Sequence, residues 1–374
     1  MKHFIYADNA ATTKLDIEAF EAMKPYLLDE YGNASQPYSF ARKPKKALKE
    51  ARQLIAQCIN ADPDEIFFTS GGTESDNWAI LGAMFQCERD KLVTTPIEHH
   101  AVLHACEVAE RQGCLLKYIP LSLSGIIAVD DARGIIDSDT ALVSIMIVNN
   151  EIGTIQPIKE LCAIAHKNGA LFHTDAVQAV GHINIDVKEL GVDLLSASAH
   201  KFNGPKGIGF LYIKRGTPIS SYINGGAQEF GMRAGTENVA SIVGMAVALK
   251  NSCASLNLSK EHCRQLKLAL IERLEAAGID FILNSKDESV SNIISLSIRG
   301  ASGEALLHRL DLMGISISTG SACNSVNDEL SHVIQAIGVD PNYAYGTIRV
   351  SFSKDNTIDE AINVAEAIAK AVKG

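Results

Sequence analysis

What the chain lacks narrows it first. Its longest predominantly apolar run, Ala141–Val148, falls far short of the ~20 residues that a membrane-crossing helix needs, so no membrane association is expected. The opening Met1-Lys2-His3 leads directly into Ile5 and Tyr6, without the apolar stretch of a secretory signal. Eight cysteines stand at 58, 87, 106, 114, 162, 253, 263 and 323 with no C-x-x-C pair; neither a disulfide framework nor a zinc ribbon is expected. Reduced thiols in the cytoplasm are the natural setting. Positive charge is not in excess: 34 Lys+Arg against 44 Asp+Glu give a net charge of −10, which argues against direct nucleic-acid binding. No internal repeat or low-complexity linker interrupts the chain.

What is present is an ordinary globular composition, 47% hydrophobic and 21% charged over 374 residues. Single cores stop growing near ~250–300 residues, so two packed domains are expected. From about 60 to 215, short β-branched runs alternate with helical patterns. Ile66–Thr69, Leu92–Thr94, Leu115–Ile119, Ala141–Val148, Leu171–His173, Leu194–Ser196 and Gly209–Ile213 read as strands, and Glu74–Gln86, Ala101–Arg111 and Ile158–Asn168 as helices. Runs such as Ala141–Val148 lack alternation, as strands buried on both faces of a mostly parallel sheet do. This is an α/β pattern. After Asn238 come two long helices (about 238–254 and 259–277), the runs Ile293–Ile298, Ile315–Ser318 and Thr347–Phe352, a helix from Ser302 to Met313, and a final amphipathic helix from Ile358. The expected division is a large domain over 13–249 and a smaller α+β domain formed by 1–12 with 250–374.

In open α/β sheets ligands sit at the carboxyl ends of the strands. Ser70-Gly71-Gly72-Thr73-Glu74 follows Ile66–Thr69 and opens a helix. Its free amides and hydroxyl suit a phosphate, although such a start is also an ordinary turn, and it matches neither the P-loop nor the dinucleotide pattern. Asp175 and Gln178 follow Leu171–His173: a carboxylate and an amide that could hold a heterocycle, or a simple helix cap. Ser198-Ala199-His200-Lys201, followed by a Gly/Pro loop, offers a lysine able to form a Schiff base, or merely a solvated loop lysine. His99 follows the strand ending at Thr94, and Asn150 closes the Ala141–Val148 run. His100 and His104 have i, i+4 metal spacing, but no further ligand is placed to complete a zinc site, so no metal is expected. Phosphate cup, Asp/Gln pair, His, Asn and Lys at strand ends together describe a pocket for pyridoxal 5'-phosphate (PLP).

From Tyr6-Ala7-Asp8-Asn9-Ala10-Ala11-Thr12-Thr13 to Thr347-Ile348-Arg349-Val350-Ser351, nearly the whole chain resembles the cysteine desulfurases, PLP enzymes of fold type I, of the iron–sulfur-cluster and nitrogen-fixation branch. The most specific segments are Ser198-Ala199-His200-Lys201, His173-Thr174-Asp175-Ala176-Val177-Gln178, Val148-Asn149-Asn150-Glu151-Ile152-Gly153, Met232-Arg233-Ala234-Gly235-Thr236 and Gly320-Ser321-Ala322-Cys323. The resemblance implies a large domain with a mostly parallel central sheet flanked by helices, plus the smaller α+β domain. It implies that Lys201 carries PLP, Asp175 pairs with the ring nitrogen, Gln178 donates to the phenolic oxygen, His99 stacks on the ring, and Asn150 lies beside ring and substrate. Gly72, Thr73, Ser198 and His200 fall to the phosphate, and Thr236 to the phosphate of the other subunit of a homodimer. Asn33 and Arg349 fall to the substrate carboxylate, and Cys323 is the sulfur acceptor on a loop of the long class.

The implied reaction converts L-cysteine to L-alanine, leaving a persulfide on Cys323 for delivery to an acceptor protein in iron–sulfur assembly or thiolation. Selenocysteine lyase or another fold-type-I PLP enzyme is the alternative, and a sulfur-relay scaffold without catalysis is a further one. Iron–sulfur clusters, tRNA thiolation and DNA phosphorothioation are not separated by the sequence. Departures from the family pattern are Ala227, Phe230, Ala234, and Asp328-Glu329-Leu330-Ser331 after the cysteine loop; none removes a catalytic group.

Overall fold

The computed structural model describes residues 4–286, 288–319 and 330–374. A seven-stranded sheet runs in the order Ile66–Thr69, Gly209–Ile213, Leu194–Ser198, Leu171–Asp175, Thr140–Ser144, Lys91–Thr94, Leu115–Tyr118. Gly209–Ile213 is antiparallel to both neighbours and every other pairing is parallel. The missing alternation has a direct cause. Adjacent residues of one strand enter two different cores: Phe68, Val93, Val143, Leu195 and Phe210 on one face, Phe67, Leu92, Leu142, Leu194 and Leu211 on the other. With both faces covered by helices, both parities must be apolar.

The Ala141–Val148 run is only partly strand, since Thr140–Ser144 is the paired portion. Beyond it the Met146 amide turns to the Glu98 carboxylate, at 3.1 and 2.9 Å from its two oxygens. The predicted helix 74–86 runs as Gly72–Met84, because glycines with free amides can open a helix that residue propensity would start later.

A second sheet of four antiparallel strands is ordered Ser318–Thr319, Thr347–Ser351, Ile293–Ile298, Phe281–Leu283. The single run expected at Ile315–Ser318 splits, because Ile315–Ser316 pairs in parallel with Ile5–Tyr6 instead. A separate core lies here, joining Leu266, Leu270 and Leu274 of the helix Leu256–Ala276 to Ile294, Leu296, Ile348, Val350 and Ile368. Ile5 and Ala7 belong to this core while Ala10 belongs to the large one, so the N-terminal segment crosses between them. The helix Val239–Ala254 is unbroken and Cys253 packs on the large core. The expected division after 249 therefore falls inside a helix, and the chain bends by 70° before Leu256–Ala276. No single helix among the described residues is long and apolar enough to cross a membrane.

Candidate active site

The carboxyl ends of the large sheet's strands open into a cavity of about 670 Å³. Gly72, Thr73, His99, Asn150, Asp175, Gln178, Ser198, His200, Lys201 and Arg349 all line it. The structure brings together every predicted site residue except three. Thr236 lines a neighbouring cavity of about 190 Å³. Asn33 lies in a loop where its Oδ1 accepts from the Ser35 amide at 2.9 Å. Cys323 lies outside the described residues.

Lys201 ends the short turn after Leu194–Ser198, and its Nζ donates to the carbonyls of Ala10 (2.7 Å) and Ala11 (2.9 Å). Gln178 Nε2 donates to the same Ala10 carbonyl at 2.9 Å. The crossing segment is thus a wall of the site. It is fixed there by Thr13, whose amide and hydroxyl both donate to the His200 carbonyl at 3.0 and 2.9 Å.

Asp175 does not cap a helix. Its Oδ1 accepts from the Val177 amide at 2.8 Å in a turn, and burial pushes its carboxyl up to about 6. Behind it Asp76 is fully buried, with Oδ1 lacking a hydrogen-bond partner among the described residues and 3.7 Å from His173 Nε2. Burial, with the Asp175 charge next, drives the Asp76 carboxyl well above its ordinary range. Two carboxyls in one dry place cannot both ionise cheaply.

His99 caps the helix His100–Arg111, its Nδ1 accepting from the Ala101 amide at 3.1 Å. That bond leaves the ring proton on Nε2. Burial first, and the Lys201 ammonium second, lower His99 to about 4, so the imidazole is neutral near pH 7. His200 is lowered to about 4 by the same two causes, and its Nδ1 lies 3.2 Å from Thr12 Oγ1.

Arg349, 5% exposed, donates Nη1 to the Asn150 carbonyl (2.9 Å) and Nη2 to Asp8 Oδ1 (2.8 Å). Its Nε is buried with no partner among the described residues.

These groups fit PLP. The first-turn amides of Gly72–Met84 have no acceptor within the helix, and Gly71 at its cap has no side chain to take them. A Cβ on Gly72 would stand 2.7 Å from Val177 Cγ2, and one on Gly209 only 2.4 Å from the Ala197 carbonyl oxygen. Glycine is what lets the cup close to the size of a phosphate. A buried carboxylate for a ring nitrogen, an amide donor, an imidazole and a primary amine complete the donor set.

Sequence reasoning gave no role to Asp76, Glu151, Ser331 and His332, which also line the cavity. Glu151 Oε2 accepts from Ser331 Oγ at 2.6 Å, and burial raises Glu151 to about 7. Asp76 is four residues beyond Gly72 on its helix, a spacing that could have flagged it; Ser331 and His332 arrive from a remote segment with no local signal.

Comparison with known proteins decides the family. The aminotransferase class-V model matches residues 5–364. A cysteine desulfurase IscS of Clostridium botulinum is 44% identical over 100% of this chain and 95% of its own length. The chain belongs to the cysteine desulfurases of the class-V aminotransferase family. Its fold is that of a solved NifS-like protein, with TM-score 0.93 and 36% identity, covering 99% of this chain and 100% of that one. A structure of SspA in complex with cysteine matches at TM-score 0.82 and 35% identity, covering 93% and 98%. This desulfurase is accordingly a PLP-dependent enzyme of fold type I.

Proposed function

We propose that the chain converts L-cysteine to L-alanine and passes the sulfur, as a persulfide on Cys323, to an acceptor protein. The observation that carries this reading is the meeting of Lys201, Asp175, Gln178 and His99 with the Arg349 guanidinium around one cavity. It offers an amine to carry PLP, a carboxylate for its ring nitrogen, and a cation for an amino acid's carboxylate. Bound there, PLP supplies an electron sink for bond changes at the substrate's α- and β-carbons.

The chain's own groups do the rest. Asp175, already desolvated, pairs with a protonated ring nitrogen at little further cost. Lys201 Nζ, placed beside the Ala10 and Ala11 carbonyls, takes the proton from the substrate Cα as the neutral amine. His99 presents its Nε2 for proton exchange at the substrate thiol. Sulfur leaves the substrate Cβ, which gains a proton and becomes the methyl group of alanine. The thiolate of Cys323 receives the sulfur and ends as S–S–H, so atoms and charge balance. This assignment rests on the Gly320-Ser321-Ala322-Cys323 sequence.

Thr236, lining a cavity apart from the main one, suits service to the phosphate of a second subunit, and we read the enzyme as a homodimer. An acceptor in iron–sulfur assembly accords with the family branch. The seven described cysteines are free thiols, which accords with the cytoplasm.

The test is spectroscopic and chemical. PLP-loaded enzyme should absorb in the visible edge, become fixed by borohydride, and form alanine from cysteine. Lys201→Ala should lose the absorption, the borohydride-stable label and the activity together. A label that persists would move the attachment to another amine, Lys206 being the second lysine in the cavity wall.

A further inference from the structure

The Arg349 guanidinium sits in an arrangement that the reaction alone does not explain. Buried arginines normally satisfy their N–H groups, and an orphan among them is costly. Here Nη1 and Nη2 are bound by the Asn150 carbonyl and Asp8 Oδ1, while Nε, equally buried, has no partner among the described residues. Two of the three nitrogens are thus tied down by one N–H each, and Arg349 lines the active cavity.

Asp8 is itself held rigidly. It bridges to Ser351, two residues beyond Arg349 on the same strand. The neighbouring amides lock the register: Asn9 N donates to the Ser351 carbonyl at 3.1 Å and Ser351 N to the Ala7 carbonyl at 2.7 Å. Asp8 also gives its carbonyl to Ala11 N at 3.0 Å, and Ala11 is one of the two residues whose carbonyls hold Lys201. The backbone thus sets Asp8 beside Arg349, where its carboxylate meets the guanidinium.

We propose that Asp8 is a positioning residue for substrate binding: with the Asn150 carbonyl it fixes the orientation of the Arg349 guanidinium, so that the terminal N–H groups these two partners do not engage are presented to the substrate's α-carboxylate. The inference rests on the reading of Arg349 as the group that holds that carboxylate. Without Asp8 the guanidinium can turn about its side-chain bonds, and the fork presented to the substrate is no longer prearranged. Asp8 also neutralises a cation that burial would otherwise leave uncompensated before substrate arrives.

The test uses PLP-loaded full-length enzyme and two ligands that differ only in the carboxylate: L-alanine, the product, and ethylamine, the same amine without it. Binding is read from the change in the cofactor's visible spectrum. Loss of a charge-assisted hydrogen bond predicts that Asp8→Ala weakens L-alanine about tenfold or more while ethylamine stays within about twofold. The isosteric Asp8→Asn keeps an oxygen acceptor but no charge, and should weaken L-alanine by about threefold or more with the same selectivity; it also serves if the alanine variant does not fold. Arg349→Lys reports on the underlying reading and should abolish the preference for L-alanine. If it leaves that preference intact, Arg349 is not the carboxylate holder and the premise fails. If Arg349→Lys abolishes the preference but the Asp8 variants bind L-alanine as well as the parent, or lose both ligands equally, Asp8 has no positioning role.

Discussion

Replacing Asp175 by asparagine should make the cofactor-free enzyme more stable and the cofactor-loaded enzyme worse. Burial raises this carboxyl from its ordinary 3.8 to about 6. Each pH unit of such a gap corresponds to about 1.4 kcal/mol, so the ionised group costs the cofactor-free fold about 3 kcal/mol near pH 8. The sign follows from proton binding. Between the two values the folded chain holds a proton that the unfolded chain has released, so this group's contribution falls as pH rises from about 3.8 to about 6 and is flat above. Asparagine carries no charge, and its Oδ1 can still accept from the Val177 amide. The variant should therefore gain up to about 3 kcal/mol near pH 8, about half of that near pH 5, and almost nothing below pH 3.8. Relief of the repulsion on Asp76 acts in the same direction. Urea unfolding of the two cofactor-free proteins across that pH range measures the difference, and equilibrium dialysis of PLP measures the opposite loss in affinity. A variant that is equally or less stable near pH 8 would refute the claim that Asp175 is a strained, desolvated charge kept for the cofactor.

The other expectations are shorter. Cys323→Ser should bind PLP and change spectrum with cysteine, yet form alanine near background, because a hydroxyl is a far poorer nucleophile toward sulfur than a thiolate; parent-level alanine would point to sulfur release without a covalent acceptor. The enzyme should sediment as a dimer at micromolar concentration, with Thr236→Ala shedding PLP faster, since ligand retention and assembly are linked; an active, PLP-replete monomer would refute this.

Much of the fold was legible because its physical cause is local. Strands covered on both faces leave unbroken apolar runs, and the large sheet was readable strand by strand for that reason. Lys201, Asp175, Gln178 and His99 were legible because each lies at a strand's carboxyl end or within a few residues past it, and strand ends are where an α/β sheet places ligands. Asp76 lies four residues beyond Gly72 on its helix, a spacing that marks its place near the cup but not that its Oδ1 is left without a hydrogen-bond partner among the described residues. Asp8 and Ser331 were hidden differently: their partners, Arg349 and Glu151, are 341 and 180 residues away in sequence, and no local pattern reports a contact made only by tertiary closure. The split of Ile315–Ser318 between two sheets belongs to the same class, since its partner is the strand Ile5–Tyr6.

The crossing segment also sets when the enzyme can first exist. Asp8 and Arg349 lie 341 residues apart in the chain. At ~5–20 residues per second, roughly half a minute of translation separates them. During that time the large sheet can form while the part of its cavity wall that Arg349 supplies is still to be made. A nascent chain thus has its lysine before it has the arginine that completes the pocket.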